Sequence, residues 1–224
     1  MNETRLIEQQ SAEVHVPPPS RPAGFMPAKR LVQAVFALFV LPRLMAYWIA
    51  RLLMGRRALS ASSESIARIP GLRGVYMRQA FYRQTLEHCG QDTYFGWLSV
   101  FSMAEARVGN RVYIGRYCSL GYADLGDEAL LADGVQVLSG GREHDQAADA
   151  EATIHQQGQS YRRVRIGRGA WIGAGAIIMA DVGDGAIVGA GSVVNRPLPD
   201  RCVAVGAPAR VIKTISTDQP TSTD

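Results

Sequence analysis

Aliphatic residues recur every six positions, with one shorter step in each of two stretches, along this 224-residue chain. An α-helix repeats its apolar residues every three or four positions and a strand every two, so a period of six fits neither element alone. It fits short straight segments joined by tight corners, with each coil of the chain stacked on the one before. The series comprises Val108, Ile114, Leu120, Leu125, Leu131 and Val137 in the first stretch and Ile166, Ile172, Ile178, Val182, Val188 and Val194 in the second.

A small or slim side chain stands two residues before most of these aliphatic residues. In the second stretch, glycine directly follows four of the aliphatic residues. Both apolar positions are expected to point into a narrow interior, while glycine permits positive φ or close backbone approach at a corner. Three six-residue sides make one triangular coil, and stacked coils form a β-solenoid. A single glycine-rich loop that cradles phosphate is excluded, because the pattern recurs in two blocks. The small residues are Val112, Cys118, Ala129, Val135, Ala170, Ala176, Ala186 and Ser192.

Three segments of the chain resemble those of a known family: WIGAGAII, IVGAGSVV and the closing VAVGAPARVIK. They are similar to the repeats of the hexapeptide-repeat acyltransferases, in particular the branch that O-acetylates sugars and polysaccharides, and the resemblance covers residues 90–213. It implies a mainly β fold, a left-handed parallel β-helix in the form of a triangular solenoid, preceded here by N-terminal α-helical segments. It also implies a homotrimer that holds acyl-coenzyme A in the groove between neighbouring prisms.

The six-residue period stops between Val137 and Val164, where a long polar loop intervenes. Loops of this length inside a compact solenoid are uncommon and often functional. This one carries His144 and His155, and histidine can accept a proton near neutral pH without special tuning. We expect His144 to be the general base, because it follows closely on Val137 and because the resemblance places a catalytic histidine there, about two residues earlier in the sugar acetyltransferases. The alternative is a solvated loop residue, which is the interpretation favoured for His155.

The resemblance also implies contacts with coenzyme A, carried over motif by motif. Backbone amides at the corners hold the pantetheine arm, and basic side chains fit the phosphate-rich nucleotide end. Each basic residue taken singly could equally be an ordinary surface residue. The matching positions are Ala174, Ala190, Asn195, Arg196, Arg210 and Lys213.

The acceptor site is less well marked. The family's acceptor-positioning asparagine is missing from the segment GYADLG, and Asp124 is the candidate that takes its place. The expected acyl donor is acetyl-CoA, and no metal ion is expected. The γ-class carbonic anhydrases share this solenoid but need three converging histidines for zinc, and the surroundings of His144 and His155 do not match their pattern.

Residues 31–54 are strongly apolar and long enough to span a bilayer. Pro42 and Arg43 stand near the middle, however, and a charge there is costly in lipid. Arg43, Tyr47 and Arg51 recur every four residues and predict a polar stripe on one helical face. We expect a helix, a break and a second helix lying in or dipping into the cytoplasmic leaflet. The alternative is a pair of apolar helices packed between the subunits of the trimer.

Residues 64–90 predict a further helix that ends at Gly90, with His88 close to its end. Four of its side chains are available for packing against the solenoid. They are Val75, Phe81, Tyr82 and Leu86.

The expected organisation is therefore disordered tails at residues 1–30 and 214–224, a helical and membrane-associated segment at 31–90, and a hexapeptide-repeat β-helix acyltransferase domain at 91–213 with a loop at 138–163. Three widely separated cysteines argue against a disulfide framework. We expect a cytoplasmic protein with peripheral contact at the cytoplasmic face of the membrane. The net charge of +4 is modest, and no basic and aromatic platform supports nucleic-acid binding.

The predicted activity is transfer of an acetyl group from acetyl-CoA to a hydroxyl of a sugar, in a glycan precursor of polysaccharide or lipopolysaccharide synthesis. The expected partners are two further copies of the chain and a sugar or lipid-linked glycan acceptor. Two alternatives stay open. One is an acetyltransferase for a small soluble acceptor such as a free sugar, serine or an antibiotic. The other is a β-helix that binds partners without catalysis.

Overall fold

The computed structural model describes residues 26–141 and 159–215. By its contacts the chain divides into two units, Met1–Val32 and Gln33–Asp224. Of the first unit, the description covers only residues 26–32, which form the beginning of a helix. The second unit contains the remaining described helices and strands.

Three helices precede the strands: α1 at Met26–Met54, α2 at Arg57–Ala67 and α3 at Gly71–Thr85. Helix α1 continues through Pro42, so the expected break at Pro42 and Arg43 is wrong. Proline removes a backbone hydrogen bond from a helix interior, but Val40 and Leu44, on either side of it, are both buried in the core. This packing holds the two halves of α1 in one helix.

One face of α1 is buried and the opposite face is exposed. Tyr47 lies in the core, with its ring centroid 5.8 Å from that of Phe81, whereas Arg51 is half-buried and Arg43 is exposed. The single polar stripe predicted for these residues is therefore wrong, because packing of the aromatic ring places Tyr47 inside. The exposed apolar side consists of Leu38, Phe39, Leu41, Met45, Trp48, Ile49, Leu52 and Leu53.

Helix α3 packs against the first coils through its aromatic residues. The four side chains predicted to pack are all buried. The ring centroid of Tyr82 lies 4.8 Å from that of Phe95 and 4.9 Å from that of Phe101. These rings close the end of the solenoid, where no earlier coil covers the apolar interior.

Helix α3 ends earlier than predicted, at Thr85. His88 and Cys89 form a strand, so the prediction that Gly90 stops the helix and that His88 lies near its end is wrong. A Cβ atom at position 90 would lie 2.5 Å from the carbonyl carbon of Gly109 in the next coil. Gly90 is thus the first corner glycine of the solenoid, and a helix stop and a tight corner both favour the same residue type.

Short strands follow the helices, most of them two residues long. They are β1 His88–Cys89, β2 Tyr94–Phe95, β3 Val100–Phe101, β4 Arg107–Val108, β5 Tyr113–Ile114, β6 Ser119–Leu120, β7 Ala123–Leu125, β8 Leu130–Leu131, β9 Gln136–Val137, β10 Val164–Ile166, β11 Trp171–Ile172, β12 Ile177–Ile178, β13 Ile187–Val188, β14 Val193–Val194, β15 Cys202–Gly206 and β16 Ala209–Thr214. They stack into three sheets that form the sides of a triangular prism. Sheet A has the order β1-β4-β7-β10, sheet B has β16-β15-β13-β11-β8-β5-β2, and sheet C has β14-β12-β9-β6-β3. Neighbouring strands are parallel except in the hairpin of β15 and β16.

The interior has the predicted register. All members of the six-residue aliphatic series and all of the small residues that precede them are at most 1% exposed. Within a strand the neighbouring residue points outward, as Trp171 does before Ile172. Full burial of an aliphatic side chain stabilises a fold by about 1.5–3 kcal/mol, so this series supplies much of the driving force for folding. The triangular parallel solenoid predicted from the repeat is confirmed.

The repeat uses glycine for two different physical reasons. A Cβ atom at Gly173, which directly follows Ile172, would lie 2.5 Å from the backbone nitrogen of Ala190 in the next coil. Gly175 has open space around it but adopts φ +67°. Tyr117 adopts φ 59° at the same corner in an earlier coil, which costs a side-chain-bearing residue about 1–2 kcal/mol.

Candidate functional site

The corner between sheets C and A is interrupted after β9. The chain passes from Leu138 to Gly141, leaves the described part of the structure for residues 142–158, and returns before β10. The backbone N–H of Arg162 donates to the carbonyl of Ser139 at 2.7 Å. The N–H of Leu138 donates to the carbonyl of Ile178 in the next coil at 2.9 Å. Both ends of the interrupting loop are therefore fixed at one edge of the prism.

A cavity of about 760 Å³ lies at this same edge. One wall of the cavity is the first part of α2 with the residue just before it. The other wall is the corner of three successive coils, and the rim is the segment where the chain returns from the loop. Its polar lining residues are Arg56, Arg57, Ser60 and Glu64 on the helical side, Ser102, Glu105, Ser119 and Ser139 on the solenoid, and Gln159 and Tyr161 at the rim.

The cavity carries both charges and neutral hydrogen-bonding groups. Arg56 donates to Glu105 at 2.8 Å, which ties the helical wall to the solenoid wall. Arg57 has no ion-pair partner within residues 26–141 and 159–215. The hydroxyl of Tyr161 donates to Oε1 of Gln159 at 2.6 Å. Serine hydroxyls, an amide, a phenol and a free guanidinium can together donate to and accept from a polyhydroxylated molecule.

The cysteines are not placed for nucleophilic chemistry. Burial raises the pKa of the Cys89 thiol to about 12, and it also raises the pKa values of Cys118 and Cys202. The thiolate is the nucleophile, and a raised pKa keeps the thiol protonated at neutral pH. None of the three lines the cavity. The arrangement therefore favours direct transfer to an acceptor over a cysteine-linked acyl-enzyme.

Asn195 and Arg196, two of the predicted coenzyme A contacts, lie at the interrupted edge. They directly follow β14 and are exposed. Strand β12 lies between β9 and β14 in sheet C, so these residues are two strands along the prism from the point where the loop departs. The structure thus brings the base of the loop, the cavity and this part of the predicted cofactor site to a single edge.

The other predicted cofactor contacts lie elsewhere. Ala174 and Ala190 are exposed at the corner between sheets B and C, where the N–H of Gly191 donates to the carbonyl of Ala174 at 2.8 Å. Arg210 and Lys213 are exposed on β16, at the edge of sheet B. Within one chain, therefore, Ala174, Ala190 and Arg210 lie towards one edge of the prism and Asn195 and Arg196 at another, with the width of sheet C between them, while Lys213 lies on the face of sheet B, aligned with Val203.

Asp124 lies away from both sets. It is on β7 in sheet A, where it is aligned with Arg107 on one side and Arg165 on the other. It lines a smaller cavity of about 300 Å³ with His88 and Asp127, and it does not line the cavity of about 760 Å³. Its position between two arginines is typical of a charged, solvated sheet face, so its predicted role in acceptor binding has no support from its location.

Sequence reasoning missed the helical wall of the large cavity. Arg56 and Arg57 follow the apolar segment, and the sequence predicts a site role neither for them nor for Glu64. The sequence signal was a basic pair immediately before a helix rich in serine. Only the packing of α2 against β3 brings these residues to the corner where the loop departs.

His144 and His155 lie outside the described residues, and the assignment of His144 as the general base stays a prediction. Among residues 26–141 and 159–215, no three His, Cys, Asp or Glu side chains are grouped to hold a metal ion.

Comparison with known proteins agrees with the repeat and the fold. The family described as bacterial transferase hexapeptide (six repeats) matches residues 163–196. A maltose O-acetyltransferase from Clostridium difficile 630 is 27% identical with a TM-score of 0.65, over 74% of this chain and 89% of that one. A galactoside acetyltransferase solved in complex with coenzyme A is 22% identical with a TM-score of 0.62, over 73% and 82% of the two chains. A hexapeptide-repeat acetyltransferase from Vibrio cholerae is 18% identical with a TM-score of 0.60, over 73% and 92%. No curated protein sequence matches the chain.

The family match covers β10 to β14, which form the part of the solenoid after the loop. The structural likeness extends over nearly three quarters of the chain. The prism is the left-handed parallel β-helix of these acetyltransferases. The part of the solenoid after the loop thus matches the hexapeptide repeat of bacterial transferases, and the fold is similar to that of the hexapeptide-repeat acetyltransferases, as the resemblance predicts.

Proposed function

We propose that the protein transfers an acetyl group from acetyl-CoA to a hydroxyl of a sugar bound in the cavity of about 760 Å³. The observation that carries this proposal is the coincidence of a polar cavity with the interrupted corner of an otherwise regular solenoid. Both ends of the loop that bears His144 meet at the rim of the cavity, through the hydrogen bond from Arg162 to Ser139. The likeness to a maltose O-acetyltransferase supports a sugar acceptor.

In the proposed reaction His144 takes the proton of the acceptor hydroxyl while the oxygen attacks the thioester carbonyl carbon. The C–S bond then breaks, and the coenzyme A sulfur leaves with a proton returned from the imidazolium. His144 is three residues beyond Gly141 in the sequence, and an extended chain rises about 3.3–3.6 Å per residue, so the chain allows at most about 11 Å between the Cα atoms of these two residues. The buried thiols leave direct attack by the acceptor as the simplest route.

The two sets of predicted cofactor residues favour a site built between copies of the chain. Ala174, Ala190 and Arg210 lie towards one edge of the prism, while Asn195, Arg196 and the loop lie at another. In a homotrimer one copy can place the first edge opposite the second edge of its neighbour, which assembles a groove for acetyl-CoA. The galactoside acetyltransferase that shares this fold was solved with coenzyme A, which supports this donor.

We place the protein at the cytoplasmic face of a membrane, where a lipid-linked glycan precursor would be the acceptor. By length and composition the Arg30–Met54 part of α1 is able to cross a membrane. Its mean hydropathy is 1.6, and 17% of its 18-residue apolar stretch is buried. A core helix of a soluble protein would be mostly buried. Pro42 and Arg43 near the middle of the helix favour a helix lying at the interface over one that spans the bilayer.

The acceptor is identified by incubating the full-length protein with labelled acetyl-CoA and either a membrane extract or a soluble extract. The proposal expects a labelled, lipid-extractable glycan that a sugar-specific hydrolase shortens. Label recovered only in a small soluble product would move the acceptor to a free sugar, serine or antibiotic. An absence of transfer and of coenzyme A binding would instead support a non-catalytic scaffold.

A further inference from the structure

A second groove, separate from the cavity at the interrupted corner, runs alongside α1. Its volume is about 690 Å³, and it shares no lining residue with that cavity. Three arginines and five apolar residues line most of it. We call it the arginine groove; its arginines are Arg43, Arg68 and Arg73, and its apolar residues include Phe36, Phe39 and Met77.

The three arginines reach the groove from three different elements. Arg43 is in the middle of α1, Arg68 caps the C-terminus of α2, and Arg73 is in the first turn of α3. All three are exposed. The carbonyl of Arg68 accepts a hydrogen bond from the indole N–H of Trp97 at 3.3 Å, which fixes its backbone.

None of these guanidinium groups has an acidic partner among the described residues, whereas several arginines along the solenoid are paired. Nη2 of Arg111 lies 2.6 Å from Oε1 of Glu128, and Nη2 of Arg116 lies 2.7 Å from Oδ2 of Asp133. Three uncompensated positive charges around one groove repel each other, and an anion placed among them removes that repulsion. Guanidinium groups bind phosphate oxygens in particular through paired, charge-assisted hydrogen bonds.

The wall of the groove is apolar and partly aromatic. Phe36 stacks on Tyr76 at 5.3 Å between ring centroids, while Phe39 is 65% exposed and Met77 is buried. Seven helical residues separate Phe36 from Arg43, so the apolar wall extends about 10 Å along α1 from the charged end. A small soluble anion would leave this wall in water. A ligand with a phosphate at one end and a hydrocarbon chain at the other covers both parts.

The groove and the exposed apolar side of α1 described above share Phe39. A helix that lies at the interface keeps Arg43 at the level of the lipid headgroups, where its charge has no acidic partner among the described residues. A phosphate in the arginine groove supplies that partner while the rest of the lipid remains in the membrane.

We propose that the arginine groove binds a phosphate-bearing anionic lipid of the membrane. The phosphate lies among Arg43, Arg68 and Arg73, and the first part of the hydrocarbon chain lies against Phe36 and Phe39. The inference rests on the proposed membrane contact and is independent of acetyl transfer. It predicts that the protein selects anionic over neutral bilayers through a defined site.

The test is flotation of the full-length protein with vesicles of phosphatidylcholine alone and of phosphatidylcholine with one fifth phosphatidic acid. The variant Arg43→Gln/Arg68→Gln/Arg73→Gln is compared with Arg111→Gln/Arg116→Gln/Arg165→Gln, which removes the same charge from the solenoid surface. Basic residues near an anionic membrane contribute strongly to binding. We expect the groove variant to lose at least about tenfold in affinity for the anionic vesicles and the control variant less than about threefold.

Equal losses in the two triple variants would show general charge attraction and overturn the proposal. Equal binding of the wild type to neutral and anionic vesicles would also overturn it, while leaving the membrane contact standing. All six substituted arginines are exposed, so circular dichroism should show both variants folded.

A second measurement separates the lipid from free phosphate. Short-chain phosphatidic acid should compete with the vesicles at concentrations at least about tenfold below those needed for inorganic phosphate. Phe39→Ser should weaken this competition, and Leu72→Ser, at an even more exposed position outside the groove, should not. Equal competition by inorganic phosphate, or equal effects of the two serine variants, would contradict the lipid as the ligand.

Discussion

The hydroxyl of Tyr82 lies 2.7 Å from Oγ of Ser63, and the same Oγ accepts the backbone N–H of Phe101 at 2.8 Å. Tyr82 belongs to α3, Ser63 to α2 and Phe101 to β3, so one buried hydroxyl joins both helices to the solenoid. Helix α2 forms a wall of the cavity at the interrupted corner. These hydrogen bonds therefore fix the position of that wall.

Tyr82→Phe should lower the free energy of unfolding by about 1–3 kcal/mol, because it leaves buried polar atoms without a partner. The hydroxyl of Tyr82 also lies within hydrogen-bonding distance of the carbonyl oxygen of Ser99, at 3.4 Å. Urea unfolding followed by circular dichroism measures the change. Tyr117→Phe, at an exposed tyrosine, is the control and should be within about 0.5 kcal/mol of the wild type. Equal stability of the two variants would contradict a structural role for the Ser63 and Tyr82 pair.

Ile172→Asp should prevent folding, because it buries an unpaired charge inside the prism. Trp171→Asp changes the neighbouring residue of β11, which points outward, and should leave the β-sheet signal intact. Far-ultraviolet circular dichroism and thermal melting distinguish the two. A folded, soluble Ile172→Asp protein would show that the assigned register is wrong.

His144→Ala should lower the rate of acetyl transfer by about 10²–10⁴-fold, the usual effect of removing a general base. Its affinity for coenzyme A should not change, because His144 is assigned to the proton of the acceptor hydroxyl and is not one of the six predicted cofactor residues. His155→Ala, in the same loop, is the matched control and should transfer at a nearly normal rate. Release of the coenzyme A thiol measures the rate and calorimetry measures the affinity. A large loss in His155→Ala alone would move the base to that residue.

Arg57→Ala should raise the KM for the acceptor by about tenfold, as expected for the loss of a hydrogen bond from a charged group, and leave the KM for acetyl-CoA unchanged. The reason is its position in the cavity without an acidic partner among the described residues. Arg168→Ala removes an exposed arginine of the solenoid and should alter neither constant. A rise in the KM for acetyl-CoA alone would indicate that this cavity holds the donor rather than the acceptor.

Stability should fall as the pH rises above about 8.5, the usual pKa of a thiol. Burial raises the pKa of Cys89 to about 12 and also raises the pKa of Tyr82. Between about pH 8.5 and 12 the unfolded state releases protons that the folded state retains, so the free energy of unfolding decreases with pH. Urea titrations from pH 8 to 10.5 measure this slope. Cys89→Ala should make it shallower, and an unchanged slope would contradict the contribution of this thiol.

Several elements followed from local sequence alone. The six-residue series identified the interior of the prism, because only a triangular coil buries every member of that series while its neighbours point outward. The packing residues of α3 were found in the same way. The helix stop expected at Gly90 is wrong because a helix end and a coil corner require the same residue. The polar stripe expected through Tyr47 is wrong because spacing does not tell which face of a helix is buried.

The six-residue period is enough to predict the solenoid, its register and the place where the repeat is interrupted, since periodicity encodes which side chains are excluded from water. The packing of the whole chain sets what surrounds that interruption. It packs α2 beside the corner to form a cavity, carries α1 straight through Pro42, and gathers Arg43, Arg68 and Arg73 around one groove. These residues are distant along the chain or follow no period, and they come together only because the aromatic and aliphatic faces of the helices are buried against each other and against the solenoid.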